Sequence, residues 1–375
     1  MPRFARMLGD GMQGLGHQVE YWMPKARFFN LPGSTTIKKW LGYVDQYIIF
    51  PAEVKLRLKN CPQDTLFVFT DHALGPWVPL VANRLHVIHC HDFLAQKSAL
   101  GDIPENPTSW TGRQYQAYIR RGYIQGRNFI SVSEKTRNDL HEFLPIMPQL
   151  SEVVFNGLNQ NFKLIAPLEA RKYVEDRYKL NLYNGCILHV GGNQWYKNRI
   201  GVISIYNAWR KLSQKKIPLL LVGPFANSAL LDFHSQSPYK SDIHLLSGMD
   251  DTFVRHAYAG ASLMLFPSLA EGFGWPIAEA MASGCPVITT NEAPMIEVGG
   301  EAAFYIPRMP AEENDREAWS KAAADKVEEI LEFAPEGRAK VVEAGVENTK
   351  RFDSKMTLAR INGIYQKILQ NSLTG

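Results

Sequence analysis

Short apolar runs alternate along the chain with stretches whose apolar residues recur every three or four positions. The short runs are bounded by glycine, proline or polar residues, which is typical of buried strands, whereas the longer periodic stretches are typical of helices. Strands that alternate with helices predict parallel sheets covered by helices on both faces, and hence an α/β fold. The predicted strands are residues 19–23, 65–70, 85–89, 128–132, 186–190, 219–223, 243–246, 263–266 and 287–290.

The N-terminal segment predicts an amphipathic helix over residues 1–17. Within it, Gly9-Asp10-Gly11-Met12-Gln13-Gly14 matches the letters of a dinucleotide-binding loop. Such a loop needs a strand before it and a helix after it, and this stretch has neither, so we treat the match as coincidental. The apolar face of the helix consists of Phe4, Met7, Leu8, Met12 and Leu15.

The stretch from residue 263 to residue 290 predicts a strand, a glycine loop, a helix and a second strand. Gly272 and Gly274 loosen the chain after the first strand. Pro276 suits the first helical position, where a missing N–H has no cost. Gly284 stands where a left-handed C-cap is expected, before the β-branched run 287–290.

This loop and helix predict a binding site for a ligand that is both anionic and rich in hydroxyls. The first backbone amides of a helix attract anions. Glu271 in the loop and Glu279, expected in the first helical turn, flank those amides and would accept hydrogen bonds from hydroxyls. A nucleotide-sugar combines a sugar, a diphosphate and a ribose in this way. The structural alternative is a surface helix whose glutamates only complement its dipole.

Glu271 and Glu279, with seven residues between them, resemble the E-x7-E motif of retaining glycosyltransferases. The stretch from Pro267-Ser268 to Pro286-Val287 is similar to family four of the GT-B fold. The resemblance implies two Rossmann-like, doubly wound domains facing a cleft, and a C-terminal helix that crosses back to the first domain. We expect an acceptor-side domain over residues 1–172, a donor-binding domain over 173–350 and the returning helix over 351–375.

Several steps of the first half also resemble the family, including His91-Asp92 and Asn156-Gly157. The family begins with a strand and a glycine-rich loop, whereas Met1 stands where that loop would end. The first strand is therefore expected to be missing. Two interpretations stay open: the native start lies upstream of Met1, or the protein lacks that strand.

The second domain opens with a strand at 186–190, a glycine turn and Lys197. A lysine beside backbone amides offers a point charge to a diphosphate. The segment resembles the family's phosphate-binding "Val-Gly … Lys-Asn" step. Many members carry an arginine where this chain has Gly192 or Tyr196, so the second cation is not assigned and Arg199 is the nearby candidate.

The resemblance implies transfer of a hexose from a nucleoside diphosphate to an acceptor hydroxyl, with retention and without a metal or other cofactor. Lys197 and the loop amides would neutralise the phosphates, Glu271 would hold sugar hydroxyls and Glu279 the ribose. His91 would lie near the reacting sugar. UDP-glucose is the first expectation for the donor and GDP-mannose the second, and the acceptor is a saccharide or a lipid-linked saccharide. The expected donor-binding residues are Gly191, Gly192, Lys197, Arg199, Gly248, Met249, Glu271, Gly272, Phe273, Gly274 and Glu279.

Three alternatives remain. Glu271 could instead act as a nucleophile that forms a covalent glycosyl intermediate. The chain could be a nucleotide-sugar 2-epimerase on the same fold, which analysis of the product without acceptor would reveal. It could also be an inactive homologue that binds a nucleotide-sugar, which release of nucleoside diphosphate would exclude.

Composition and sequence motifs exclude further kinds of partner and site. A net charge of +4 is mild, and no nucleic-acid motif is present, so nucleic acid is not an expected partner. The four cysteines lack the spacing of a zinc site or disulfide framework. No apolar run reaches the roughly 20 residues of a membrane span, and no secretory signal is found, so a cytoplasmic location is expected.

The inner membrane surface is the place where a lipid-linked acceptor would be met. An amphipathic helix at 37–48 either packs on its own sheet, which we favour, or faces a membrane or acceptor lipid. Basic residues of the first domain either steer an acidic acceptor or form a solvated face, which is the commoner case. They are Arg113, Arg120, Arg121 and Arg127.

Overall fold

The computed structural model describes residues 2–158 and 162–371. The strands are β1 (Phe67–Phe69), β2 (His86–Cys90), β3 (Asn128–Ser131), β4 (Leu150–Val153), β5 (Ile187–Val190), β6 (Leu219–Val222), β7 (Ile243–Leu246), β8 (Leu263–Phe266), β9 (Val287–Thr290) and β10 (Phe304–Ile306). The α-helices are α1 (Pro2–Gly14), α2 (Thr35–Val44), α3 (Phe50–Leu58), α4 (Leu94–Leu100), α5 (Trp110–Tyr123), α6 (Glu134–Phe143), α7 (Pro167–Tyr178), α8 (Arg199–Leu212), α9 (Ser228–Gln236), α10 (Asp251–Gly260), α11 (Trp275–Ala282), α12 (Met295–Gly299), α13 (Glu313–Leu331), α14 (Pro335–Thr349) and α15 (Ser354–Asn371).

The chain divides into two compact units, each with its own parallel sheet. Unit 1 contains residues 1–155 and 355–375, and unit 2 contains residues 156–354. Unit 1 has the strand order β1-β2-β3-β4, and unit 2 has the order β10-β9-β8-β5-β6-β7. The predicted α/β fold with two parallel-sheet domains is confirmed. The strands β4 and β10 were not predicted.

The first unit ends at residue 155, earlier than the predicted boundary at 172. The difference concerns residues 156–172, which include the start of α7. Ala170 and Val174 of this helix are buried, and the Arg171 Nε donates a hydrogen bond of 2.8 Å to the carbonyl of Gly260 at the end of α10. These contacts attach α7 to the second unit.

The last helix, α15, belongs to the first unit, as predicted. Its residues Ile361, Ile364 and Ile368 share one core cluster with Phe4 and Leu8 of α1. The helix therefore returns the chain to the unit in which it began. Burial of this apolar stripe stabilises both helices, because each covers a face that neither could hide alone.

The predicted strand at residues 19–23 is wrong. This segment has no strand pairing in the described part of the chain. A cavity of about 840 Å³ is lined both by this segment and by β1, and Trp22 meets Phe67 only edge to face, at 5.6 Å between ring centroids. A strand exists only through backbone pairing with a neighbour, so an alternating pattern alone does not form one.

The helix predicted at 37–48 forms as α2 and a following π-helical turn at Asp45–Ile49, but its favoured interpretation is wrong. None of the ten residues of α2 is buried, and the exposed fraction is 52% for Ile37 and 65% for Trp40. Its apolar face is not packed into the core. Across residues 2–158 and 162–371, no helix is both long enough and apolar enough to span a membrane.

His89 and His189 are fully buried, one in each sheet. His89 in β2 lies 2.7 Å from the Tyr365 hydroxyl, and the His189 Nδ1 lies 3.0 Å from the carbonyl oxygen of Leu265. Burial lowers the pKa of each imidazole to about 3. Both histidines are therefore neutral in the folded protein over the range in which most enzymes work.

We expect acid to destabilise the protein before its carboxylates titrate. The folded pKa of about 3 lies below the ordinary value near 6.5, so the unfolded chain binds more protons at intermediate pH. The stabilisation that each neutral histidine contributes is complete above pH ~6.5 and is lost as the pH falls towards 3. Compared with neutral pH, each histidine should lower the free energy of unfolding by about 2 kcal/mol at pH ~5.

Urea denaturation at neutral pH and near pH 5 measures this loss. His89→Gln keeps a polar partner for Tyr365 but cannot titrate, so its unfolding free energy should depend less on pH than that of the wild type. Equal pH dependence in the two proteins would exclude His89 as a source of the effect.

Candidate functional site

The candidate site lies at the point where the strand order of the second sheet reverses. From β5, the chain proceeds to β6 and β7 on one side, and then to β8, β9 and β10 on the other. All these neighbours are parallel, so the loops after β5 and β8 emerge side by side at one edge. Ligands of open α/β sheets bind in the crevice at such a switch point. Lys197 follows β5, and Glu271 follows β8.

Asn198 joins these two loops. It has a left-handed backbone (φ 50°), and its Oδ1 accepts the Gly201 amide at 3.1 Å, which caps the start of α8. Its Nδ2 donates to the carbonyl of Pro267 at 2.9 Å. A second link runs from the Leu269 amide to the Tyr196 carbonyl, at 2.7 Å. The loops are therefore fixed to each other by hydrogen bonds within the unit.

Lys197 and Glu271 form an ion pair at the centre of the site. The Lys197 Nζ lies 2.7 Å from the Glu271 Oε1, and the exposed side-chain fractions are 15% and 8%. The Ser268 hydroxyl lies 2.7 Å from the same carboxylate oxygen. The Nζ also lies 5.1 Å from the centroid of the Phe266 ring, a cation–π contact. A mostly buried charge pair of this kind is held in one geometry.

The pairing was not predicted, although both residues were. It matters chemically because an ammonium carries three N–H groups and a carboxylate accepts at two oxygens. One mutual hydrogen bond leaves Lys197 with donors for a diphosphate, and Glu271 with acceptor capacity for sugar hydroxyls. The pair thus brings a cation and a hydrogen-bond acceptor to one point.

Glu279 lies further along α11 than predicted. The helix begins at Trp275, so Pro276 is its second residue and Glu279 stands beyond the first turn, which contains no acidic residue. The predicted position in the first turn is wrong. Glu271 precedes the helix altogether, so neither glutamate occupies a position that complements the helix dipole. This weakens the purely structural interpretation of the two carboxylates.

Tyr258 of α10 is a site residue that the sequence analysis missed. Its hydroxyl donates to the Glu279 Oε2 at 2.9 Å, and its ring is fully buried. Burial raises the pKa of Tyr258 well above its ordinary value, so the phenol stays protonated and keeps donating. Tyr258 therefore orients the Glu279 carboxylate. Nothing in the local sequence marks it, because it is one apolar-face residue of an amphipathic helix.

The glycine loop before α11 is anchored by Phe273. Its side chain is buried and meets Trp275 and Phe352 edge to face, at ring-centroid distances of 5.4 and 5.5 Å. Gly274 is the N-cap of α11 and has φ 101°, a conformation that favours glycine. Because the Phe273 ring points into the protein, any contact of Gly272–Gly274 with a donor would be through the backbone.

Arg199 is held inside the loop region. The side chain is buried, and its Nη1 donates to the Asn193 Oδ1 at 2.6 Å and approaches the Pro224 carbonyl at 3.4 Å. Burial lowers the pKa of this guanidinium. Arg199 therefore braces the loop after β5 against the loop after β6. Its predicted role as the second phosphate-binding cation stays a prediction.

Gly191 and Gly192 begin the loop after β5, and the Gly191 amide donates to the Val222 carbonyl at 3.0 Å. Gly248 and Met249 follow β7 at the same sheet edge, two strands from β5 and hence roughly 10 Å away. Gly248 has φ 73°. These positions allow contacts with different parts of one extended ligand, and the predicted contacts themselves stay predictions.

His91 lies in the first unit, directly after β2. Its Nε2 is 3.0 Å from the Thr70 carbonyl, which can only accept, so Nε2 carries the proton and Nδ1 is the acceptor. Burial lowers the pKa of His91, against an opposing effect of Asp71, so the ring is neutral near pH 7. The predicted contact of His91 with the reacting sugar is not tested.

Within the described ranges, no group of three or more His, Cys, Asp or Glu side chains is arranged to hold a metal ion. The expectation that donor binding needs no metal stays a prediction.

Part of the second unit matches a known family. Residues 185–331 match the family described as Glycosyl transferases group 1. Among curated proteins, the O-antigen chain mannosyltransferase B of Escherichia coli is 30% identical over 149 residues. That alignment covers 39% of this chain and 38% of the relative, so the chain spans well under half of the relative's length.

Solved structures share the fold over nearly the whole chain. WaaG, a glycosyltransferase involved in lipopolysaccharide biosynthesis, superimposes with a TM-score of 0.68 at 17% identity, covering 97% of this chain and 95% of that structure. Anabaena Alr3699/HepE in complex with UDP-glucose superimposes with a TM-score of 0.65 at 19% identity, covering 85% and 82%. The chain therefore has the GT-B fold, and its residues 185–331 match the glycosyl transferases group 1 family.

Proposed function

We propose that this protein is a retaining, metal-independent glycosyltransferase that moves a hexose from a nucleoside-diphosphate sugar to a saccharide or lipid-linked saccharide. The observation that carries the proposal is the ion pair of Lys197 and Glu271 at the switch point of the second sheet, 2.7 Å apart. The family match and the activities of the similar proteins support it.

In the proposed reaction, the acceptor oxygen forms a bond to the anomeric carbon while the bond from that carbon to the diphosphate oxygen breaks. The acceptor proton passes to the leaving diphosphate, and attack on the face from which the diphosphate departs retains the configuration. Negative charge develops on the leaving group. Lys197 and the amides that open α11 would stabilise that charge, as preorganised donors do in an oxyanion hole.

The remaining residues would position the donor. Glu271 would accept hydrogen bonds from sugar hydroxyls, and Glu279, oriented by Tyr258, would accept them from the ribose. His91, neutral and with Nδ1 as acceptor, would receive a hydrogen bond from the sugar. A covalent intermediate on Glu271 is the less favoured mechanism, because Lys197 and Ser268 already contact one carboxylate oxygen and reduce its nucleophilicity.

UDP-glucose is the first candidate donor, because the similar Anabaena protein has been solved with it. GDP-mannose is the second, because the Escherichia coli relative is a mannosyltransferase. Polysaccharide biosynthesis is the proposed context. The proposed location is the cytoplasm, in weak peripheral contact with the inner membrane surface, where lipid-linked saccharides are carried.

Calorimetric titration with UDP, GDP and ADP tests the donor assignment. We expect UDP to bind most tightly and GDP next, and we expect release of nucleoside diphosphate from the matching sugar donor. An equal response to all three nucleotides would contradict a base-selective donor site.

Chelation with EDTA should leave both binding and release unchanged if no metal is required. Binding without any release from a panel of donors would assign the chain to inactive homologues. A free sugar changed at its second carbon, formed without acceptor, would identify an epimerase.

A further inference from the structure

Phe225, in the loop after β6, has the most exposed large apolar side chain in the part of the chain that the structure describes. Its exposed fraction is 82%, against 74% for Tyr183 and 72% for Trp110. Single apolar residues are common on protein surfaces, so exposure alone assigns no function. Phe225 differs from the others in its position beside the donor site and in the way its backbone is held.

The backbone of Phe225 is fixed although its ring is exposed to solvent. The Asn193 Nδ2 donates to the Phe225 carbonyl at 2.6 Å, and the Arg199 Nη1 donates to the Asn193 Oδ1, also at 2.6 Å. On the other side, Ala226 packs against the core of the unit and Asn227 caps α9 with its side chain. The loop therefore holds an aromatic ring in water at a fixed place, so a ligand need not order the backbone in order to contact it.

The loop of Phe225 emerges between two loops that are expected to contact the donor. In the second sheet, β6 lies between β5 and β7, and all three strands are parallel. Lys197 follows β5 and Gly248 follows β7, and each of these strands lies about 4.8 Å from β6. A Cβ added to Gly248 would meet nothing within 4 Å, so the space beside that residue is open. A ligand that extends from Lys197 to Gly248 therefore passes over the loop that carries Phe225.

The chemistry of an aromatic face decides which part of a nucleotide-sugar suits Phe225. The face of the ring carries partial negative charge, so it repels a diphosphate. Sugar hydroxyls are proposed to bind Glu271, which follows β8 on the opposite side of β5 from β6. A nucleobase has a flat π-face that stacks on aromatic side chains. The base is therefore the part of the donor that fits this ring.

We propose that the Phe225 ring stacks on the nucleobase of the donor and so selects nucleotide-linked sugars over other sugar phosphates. Stacking of one base on an aromatic side chain contributes roughly fivefold to a hundredfold in affinity. Because every base has such a face, the contact strengthens the binding of all nucleotides and discriminates weakly among them. This inference deepens the proposed function, on which it rests for the identity of the ligand.

Calorimetric titration of Phe225→Ala tests the stacking with four probes: UDP, GDP, ADP and inorganic pyrophosphate. We expect the affinity for each nucleotide to fall by about tenfold or more, since each loses the same kind of contact. The affinity for pyrophosphate should equal that of the wild type, because pyrophosphate has no base. In donor kinetics, the substitution should raise KM more than it lowers kcat, since the base is held alike in the ground state and the transition state.

Phe225→Trp supplies a direct signal of stacking. It keeps an aromatic face, so it should retain the nucleotide affinity of the wild type. We expect UDP to quench the fluorescence of the added indole, and we expect pyrophosphate to leave it unchanged.

The matched control is Tyr183→Ala, at an exposed aromatic residue of the same unit. Tyr183 precedes β5 and so lies towards the opposite edge of the sheet from Lys197, and its substitution should not change the nucleotide affinities. Urea denaturation should give equal unfolding free energies for Phe225→Ala and the wild type, because substitutions at exposed positions have little effect on stability.

Three results would overturn the stacking proposal. Wild-type affinity for UDP in Phe225→Ala would exclude the contact. Weaker binding of UDP-glucose with unchanged binding of UDP would assign the ring to the hexose, and an equal loss for pyrophosphate would indicate a disturbed loop and no contact with the base. Each of these results leaves the proposed function intact, whereas failure of the wild-type chain to bind any of the nucleotides would refute the proposed function itself.

Discussion

Replacing Lys197 or Glu271 with alanine is expected to reduce hexose transfer by more than about a hundredfold, the usual cost of losing one transition-state contact. Each substitution would remove the proposed contact to the donor, and it leaves the opposite charge unpaired in a mostly buried position. Transfer from the donor that binds best, measured as release of nucleoside diphosphate, gives the rate. Near-wild-type turnover in either variant would remove that residue from the mechanism.

The two side chains are expected to act as a unit. The double variant should therefore lose less activity than the product of the two single losses, because the first substitution already breaks the ion pair. Glu271→Gln keeps the shape and one acceptor oxygen, so it should retain more activity than Glu271→Ala. Fully additive losses would indicate that the pair seen here is not the functional arrangement.

A solvent-exposed ion pair in the same unit supplies the matched control. The Lys326 Nζ lies 2.6 Å from Glu329 on α13, with exposed side-chain fractions of 34% and 51%. Exposed pairs contribute little to stability. Lys326→Ala and Glu329→Ala should therefore leave transfer unchanged, which separates the loss of a site charge from the loss of any ion pair.

Most of the second unit could be predicted from the sequence, because its signals are local. The strands β8 and β9 form at the residues predicted for them, since apolar runs bounded by glycine and proline leave few alternatives. Lys197 and Glu271 follow two such strands, and the order of a doubly wound sheet makes those strands neighbours. The glycine and proline residues that bound the strands, together with the sheet topology, were enough to predict that the two loops lie at one edge.

The features that could not be predicted depend on partners distant in sequence. Lys197 and Glu271 are 74 residues apart, and Tyr258 and Glu279 are 21 apart, so no spacing rule connects either pair. The segment 19–23 has the alternation of a strand, yet it faces a cavity and not a paired neighbour. The amphipathic pattern of α2 gave the helix correctly but not the environment of its apolar face.

The loop after β5 depends on a close backbone contact at Gly223. A Cβ added there would lie 2.1 Å from the carbonyl oxygen of Gly191, far inside van der Waals contact. The neighbour is backbone and cannot rotate away, and the Gly191 amide is itself bonded to Val222. Any residue other than glycine at position 223 must therefore move the loop that leads to Lys197.

Gly223→Ala is accordingly expected to lower the free energy of unfolding by about 3 kcal/mol, the upper range for overpacking a close contact. It should also weaken nucleotide binding by more than about tenfold, because the displaced loop carries Lys197. Urea denaturation and calorimetry measure the two effects.

The matched control is Gly363→Ala in α15, where an added Cβ meets nothing within 4 Å and alanine favours the helix by about 1 kcal/mol. Gly363→Ala should therefore be neutral or stabilising. If Gly223→Ala instead kept wild-type stability and nucleotide affinity, the loop would tolerate the shift and its geometry would not limit donor binding.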